Sequence, residues 1–312
     1  MFYPTAQKKA TENAVQDTFE AVFNEWWLNR VDSLSENTAT NIKKRITTNA
    51  LPYIGALPVT QINSKLVLEV TRRIEGRGLG ETARRVVQII GQVMRYAIAT
   101  GRCENDPTPA LRGALKPVVV KHHSAILDKT PLGEFLSLAR VYPSSPLVRA
   151  ALLLQVMLFV RPGELRQAEW TEIDCKSKVW KIPAEKMKMR VAHTVQLAAQ
   201  AIGILEDLRP LTGHGKWVFP SHRSTERPMS ENAVTVALRS MGYDGETVTG
   251  HGFRATARTL LVEELRFSPD VVEMQLAHAV RDPLGRAYNR TTFIGDRTKM
   301  MQAWADWLDS IG

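Results

Sequence analysis

The hydrophobic residues of the first hundred positions fall into four helical stripes. Phe19, Val22, Phe23, Trp26 and Trp27 recur at helical spacing, and Thr18 stands where an N-cap belongs. A second helix is expected to open at Thr38 and to carry the basic run Lys43, Lys44 and Arg45. It should stop near Leu51-Pro52, because the residue before a proline disfavours helical backbone. A third helix, 65–75, has Ser64 as its cap and Gly76 and Gly78 behind it. A fourth, 81–100, places Val86, Ile89, Ile90, Val93 and Ala97 on one face. Periodicity lapses over 106–123, a stretch rich in proline and lysine. Helical patterns return at 131–141 and 147–159, followed by strand-like passages at 169–174, 179–182 and 193–197. Further helices are expected at 198–208, 230–241, 254–264, 270–277 and 298–310. The pattern therefore predicts a mainly α protein with a small antiparallel β-sheet. Residues 1–17 read as a tail or linker remnant, 18–105 as a four-helix domain, 106–123 as an interdomain linker and 124–312 as an α+β domain.

Bulk properties fit this division. A chain of 312 residues suits two cores better than one. No apolar run is long enough to span a bilayer, and the N-terminus lacks the apolar centre of a secretory signal. Cys103 and Cys175 fall in different expected domains, so neither a disulfide framework nor a metal-ligand spacing is present, and a cytoplasmic location is expected. The net charge of +9 favours a polyanionic partner, above all nucleic acid. Residues 1–125 carry 17 Lys+Arg against 11 Asp+Glu, a net +6, which leaves +3 for the longer remainder. Lys43, Lys44 and Arg45, with the pairs Arg72-Arg73 and Arg84-Arg85, are the candidate backbone contacts of the front domain. A solvated helix face is the ordinary alternative for each.

Four places offer chemistry, and each is ambiguous alone. Arg161 lies between an apolar helix and Pro162, where it is either a structural partner of Glu164 or a preplaced ligand for an anion. His251 and Arg254 are three apart at the mouth of a helix, a spacing that shares a face at an end favouring anions. His278 precedes a charged, glycine-containing connection to Tyr288. Lys186 and Lys188 sit on the turn of the expected hairpin, where a basic turn is usually just solvated. Together these residues supply what metal-free phosphodiester exchange requires. Arginines offset the charge that spreads over the phosphate oxygens. A phenol with a pKa near 10 needs cations or a base to become a nucleophile. The leaving 5′ oxygen needs a proton donor, and a lysine on a hairpin can reach it. No carboxylate cluster suggests magnesium and no Cys/His cluster suggests zinc.

In order, the segments FVRPGELRQAEW, IPAEKMKMRVAHTVQL, HGFRATARTLL and AYNR resemble the boxes of the tyrosine recombinases, most closely prophage and genomic-island integrases of the satellite-phage type. The resemblance runs from about Thr18 onward. It implies a SAM-like core-DNA-binding domain at 18–105 and a catalytic domain at 124–312. It implies Tyr288 as the nucleophile of a 3′-phosphotyrosine intermediate, with Arg161 and Arg254 as phosphate ligands. His251 would be general base and oxygen ligand, and His278 a further hydrogen-bonding ligand. Lys188 would be the general acid rather than Lys186, because the family's lysine usually lies seven residues before the strand valine, here Val195. No cofactor or metal is implied. The implied partners are double-stranded DNA at attachment core sites and three further copies in a homotetramer, with a directionality factor and a DNA-bending protein as accessories. Two departures stand out. Val195-Gln196-Leu197 replaces the family's Val-Pro-Leu, and the chain starts where the usual arm-binding domain is expected to end. Two other functions compete: an integrase remnant that binds DNA without cutting it, and a type IB topoisomerase. The amphipathic stretch 300–308, with Trp304 and Trp307, fits docking on a neighbouring subunit or packing on its own domain.

Overall fold

The computed structural model describes residues 17–117, 123–278 and 292–312. The chain divides into two compact units, Met1–Val120 and Lys121–Gly312.

The first unit is built from helices α1 (Phe19–Leu28), α2 (Glu36–Asn49), the single turn α3 (Leu51–Ile54), α4 (Ser64–Glu75) and α5 (Gly80–Ala99). Thr18 caps α1 as expected, its Oγ1 accepting from the Ala21 N–H at 3.3 Å. The next two caps differ from expectation. Ser35 caps α2 three residues before Thr38, and Asn63 rather than Ser64 caps α4, with Oδ1 at 3.0 Å from the Leu66 N–H. Ser64 instead donates to the Pro107 carbonyl at 3.0 Å. Both alternatives are residues that favour caps, so local sequence does not decide between them. Val86, Ile90, Val93 and Ala97 form one buried stripe on α5, against which α1, α2 and α4 pack. Burying each of these valine and isoleucine side chains contributes about 1.5–3 kcal/mol. Residues 106–117 of the expected linker pack on this unit. Leu111 is buried in its core, Arg95 pairs with Asp106 at 2.6 Å, and the Glu75 carboxylate accepts from the Lys116 N–H.

The second unit centres on α7 (Pro146–Leu158), with α6 (Lys129–Val141), α9 (Ala199–Thr212), α10 (Ala233–Ser240) and α11 (Gly252–Glu263) packed against it. Two short helices, α8 (Pro162–Arg166) and α12 (Pro269–Gln275), adjoin it, and α13 (Ile294–Ile311) ends the chain. A three-stranded antiparallel sheet has the order β1 (Ile173–Asp174), β2 (Val179–Ile182), β3 (His193–Gln196), with Trp180 opposite Val195 and Ile182 opposite His193. The first strand is shorter than expected. Residues 170–172 turn as a 3-10 helix because Glu172 reaches back to the Glu169 N–H. A second small hairpin, β4 (Pro220–Ser221) with β5 (Ser224–Pro228), has no apolar alternation to announce it. The C-terminal helix packs on its own unit. Trp304 is fully buried and its indole donates to the Val156 carbonyl at 3.2 Å. Among the described residues, no helix is long and apolar enough to cross a membrane.

Candidate active site

Helix α7 ends at Phe159, whose left-handed backbone (φ 39°) turns the chain sharply outward. Gln155 holds that turn by donating to the Val160 carbonyl at 2.7 Å. Arg161 follows as the N-cap residue of α8. One Glu164 oxygen accepts from its backbone N–H at 2.8 Å and the other from its Nη1 at 2.7 Å. The structural pair considered from sequence therefore exists. It consumes one of five guanidinium N–H donors and fixes the direction of the rest.

Arg254 enters the same place from α11. Its side chain is buried, and its seat is made of carbonyls. Nη1 donates to Phe159 O at 2.9 Å, and Nη2 donates to Leu276 O at 2.7 Å and to His278 Nε2 at 3.0 Å. Two of its five donors have no partner among the described residues. Burial first, then the neighbouring Arg161, lowers its pKa to about 10. At pH 7 that still leaves only about one molecule in a thousand neutral, so the charge persists. Accepting from Arg254 through Nε2 fixes the tautomer of His278, whose Nδ1–H donates to Glu273 at 2.6 Å. Burial would raise the Glu273 carboxyl, but hydrogen bonds from His278 and Arg258 hold it below the usual range.

His251 is the residue before α11, and Thr249 Oγ1 caps that helix by accepting from the Gly252 N–H at 2.9 Å. Gly252 is required here, since a Cβ would lie 1.8 Å from the Ser124 carbonyl. The His251 ring stacks on His123 with centroids 4.8 Å apart. Burial, then the electrostatic influence of His123, Arg254 and Arg161, pushes its pKa below the ordinary value. The imidazole is therefore neutral, and able to accept a proton, near pH 7. It faces a cleft of about 250 Å³ whose lining includes Pro162, Arg166, Thr249 and Gly250. Arg161 and Arg254 both act electrostatically on His251, and Arg161 on Arg254, so the three groups lie within electrostatic reach of one another.

The two hairpin lysines separate clearly. Lys186 is mostly buried and bonds Glu169 at 2.7 Å, Glu172, and the Gln167 carbonyl at 2.8 Å. Lys188, beyond the buried Met187, is exposed and has no side-chain partner among the described residues. Tyr288 lies outside the described residues. In the first unit, Lys43, Lys44, Arg72, Arg73 and Arg85 are exposed, and Arg45 and Arg84 are half-buried. Arg73 sits 4.9 Å over the Tyr53 ring, Arg84 donates to the Lys116 carbonyl, and Arg85 pairs with Glu81 at 2.8 Å.

Sequence reasoning missed His123, His193, Gln275 and Arg297. His193 Nε2 donates to the Gln275 carbonyl at 3.0 Å, and Arg297 Nε donates to the Gln275 side chain at 2.8 Å. A signal for Arg297 was available. It shares the helical stripe of Met300, Met301, Trp304 and Leu308, where a charge is out of place. Among the described residues, no group of three or more His, Cys, Asp or Glu is placed to hold a metal ion.

Residues 19–114 match the phage integrase central domain and residues 127–293 match the phage integrase family. The integrase of Enterobacteria phage P4 is 34% identical over 318 residues, covering 97% of this chain and 72% of that protein. Prophage integrase IntA of Escherichia coli (strain K12) is 35% identical over 301 residues, covering 96% and 72%. Among solved structures, a lambda integrase dimer bound to a COC′ core site has a TM-score of 0.69 at 18% identity, over 93% of this chain and 84% of that one. The Tn1549 transposon integrase in complex with circular intermediate DNA gives 0.67 at 12%, over 91% and 99%. At such identities the structural likeness is one of fold. The sequence relatives carry more, because they exceed 30% identity along almost the whole length, and with them the chain belongs to the phage integrase family of tyrosine recombinases.

Proposed function

We propose that this recombinase cuts and rejoins duplex DNA at attachment core sites with Tyr288 as nucleophile. Its phenol oxygen attacks the scissile phosphorus, and its proton passes to neutral His251. The new bond is the 3′-phosphotyrosine, and the broken one is to the 5′ oxygen, which takes a proton from Lys188. Arg161 and Arg254, with His278 beside them, bind the non-bridging oxygens as charge builds there. The bond energy stays in the phosphotyrosine, so rejoining by a second 5′ hydroxyl needs no nucleotide. What supports this reading is that Arg254 hydrogen-bonds His278 and lies within electrostatic reach of both Arg161 and His251, which groups the candidate phosphate ligands and the base.

Residues 18–105 act as the core-DNA-binding domain, through Lys43, Lys44, Arg45, Arg72, Arg73, Arg84 and Arg85. Residues 124–312 act as the catalytic domain, with 106–123 joining the two. A lambda integrase tetramer bound to a Holliday junction supports a homotetramer on synapsed DNA. The setting is cytoplasmic integration and excision of a prophage or genomic island, with a directionality factor and a DNA-bending protein as accessories.

The test is a nicked suicide substrate containing the attachment core, which traps the covalent protein–DNA complex. The unsubstituted protein should form it and Tyr288→Phe should not. A complex with Tyr288→Phe overturns the nucleophile. Binding without any complex from the unsubstituted protein means a lapsed, DNA-binding remnant.

A further inference from the structure

The mechanism leaves a buried cation unused. Arg297, in the first turn of α13, is 4% exposed and forms no ion pair among the described residues. Burial lowers its pKa to about 10, so it stays charged at pH 7. A buried charge without an acid partner is costly unless geometry repays it. The geometry here is a bridge. Nε donates to Gln275 Oε1 at 2.8 Å, and Nη2 donates to the backbone carbonyl of Thr194. Gln275 ends α12, immediately before Leu276, whose carbonyl seats Arg254, and three residues before His278. Thr194 belongs to β3, at the foot of the hairpin that carries Lys188. His193, beside it, donates to the Gln275 carbonyl and doubles the tie.

One guanidinium thus fastens the phosphate-binding end of α12 to the strand below the exposed lysine. Lys188 has no side-chain partner among the described residues, so its position is inherited from the backbone on either side. On one side Met187 and Lys186 are anchored, and on the other the anchor is β3. We propose that Arg297 is a positioning residue for leaving-group protonation. By clamping β3 to the end of α12 it sets where the β2–β3 hairpin presents Lys188. The inference rests on Lys188 being the proton donor.

The experiment compares single-turnover covalent-complex formation on attachment-core DNA and on the same DNA with sulfur at the scissile 5′ bridging position. A thiolate leaves without a proton. Arg297→Gln should slow cleavage of ordinary DNA by about 100-fold, the cost of an ångström-scale misplacement, and return to within a few-fold of the unsubstituted protein on sulfur DNA. Arg297→Lys keeps the charge without the fork, and Gln275→Ala removes the acceptor without touching the charge. Both should show a smaller loss with the same recovery, and they answer the question if Arg297→Gln fails to fold. An equal loss on the two substrates, or no loss with Arg297→Gln, overturns the proposal. Lys188→Ala is the control. If sulfur does not restore it, the assignment of Lys188 fails. If sulfur restores it but not the Arg297 variants, only this inference fails.

Discussion

Acidification from pH 7 to pH 5 should destabilise the catalytic unit by about 2 kcal/mol through His193 alone. Burial, then the charges of Arg297, Arg161 and Arg254, lowers its pKa from the ordinary 6.5 to about 4, against the pull of its hydrogen bond to the Gln275 carbonyl. The unfolded chain takes up the proton near 6.5 and the folded chain only near 4. Stability is therefore fully present above 6.5 and drains away as the pH falls through that window. The 2.5-unit gap corresponds to about 3 kcal/mol once the pH is below 4, at 1.36 kcal/mol per unit. His193→Gln retains an amide donor to the Gln275 carbonyl and does not titrate. Denaturant unfolding of the full chain at pH 7, 6 and 5 should show the unsubstituted protein losing about 2 kcal/mol more than His193→Gln, the carboxylates being common to both. An NMR titration of the imidazole reads the same quantity directly. A midpoint at 6 or above, or equal pH slopes for the two proteins, refutes the account of His193 as a buried neutral donor held among arginines.

The hairpin and the front unit give two more checks. Lys186→Met leaves Glu172 without its cation and Glu169 with Lys216 alone, and should cost about 3 kcal/mol of unfolding free energy. Its cleavage rate per folded molecule should stay within a few-fold of the unsubstituted protein. A loss of tenfold or more that sulfur DNA restores, with Lys188→Ala keeping its rate on ordinary DNA, would move the proton donor from Lys188 to Lys186. DNA affinity should fall steeply with salt, and Lys43→Ala, Lys44→Ala or Arg72→Ala should each flatten the log–log slope by about one ion. Arg85→Ala should change the slope by less than half as much, because its guanidinium is already paired with the Glu81 carboxylate. Equal effects at all four positions would break the link between free side chains and phosphate contact.

What the sequence made legible were properties carried by neighbours along the chain. The stripe on α5, the Thr18 cap and the order of Arg161, Lys188, His251, Arg254 and His278 are all local patterns. The choice of Asn63 over Ser64 was not, since either residue caps a helix and the Pro107 carbonyl across the fold decides it. The β4–β5 hairpin was invisible because its strands bury little and so need no alternation. His123 stacks on His251 across more than a hundred residues, which no local pattern encodes.

Charge balance is the part of the site that only three dimensions reveal. Glu164 answers Arg161, and Glu273 is shared between Arg258 and His278. Arg254 and Arg297 have carbonyls, an amide oxygen and an imidazole for partners, none of which carries negative charge. A carboxylate beside Arg254 would hold the guanidinium as firmly, but it would also cancel the potential that a phosphate bound there would meet. Neutral acceptors fix direction and leave the charge uncompensated. In the proposed mechanism the desolvation this costs the free protein is recovered when the scissile phosphate arrives, and recovered most where negative charge is concentrated, on the phosphoryl oxygens of the transition state. A motif displays two arginines and two histidines, but whether the charge of Arg254 is spent inside the protein or left for a substrate depends on acceptors at Phe159 and Leu276, residues whose identity says nothing of the role their oxygens play.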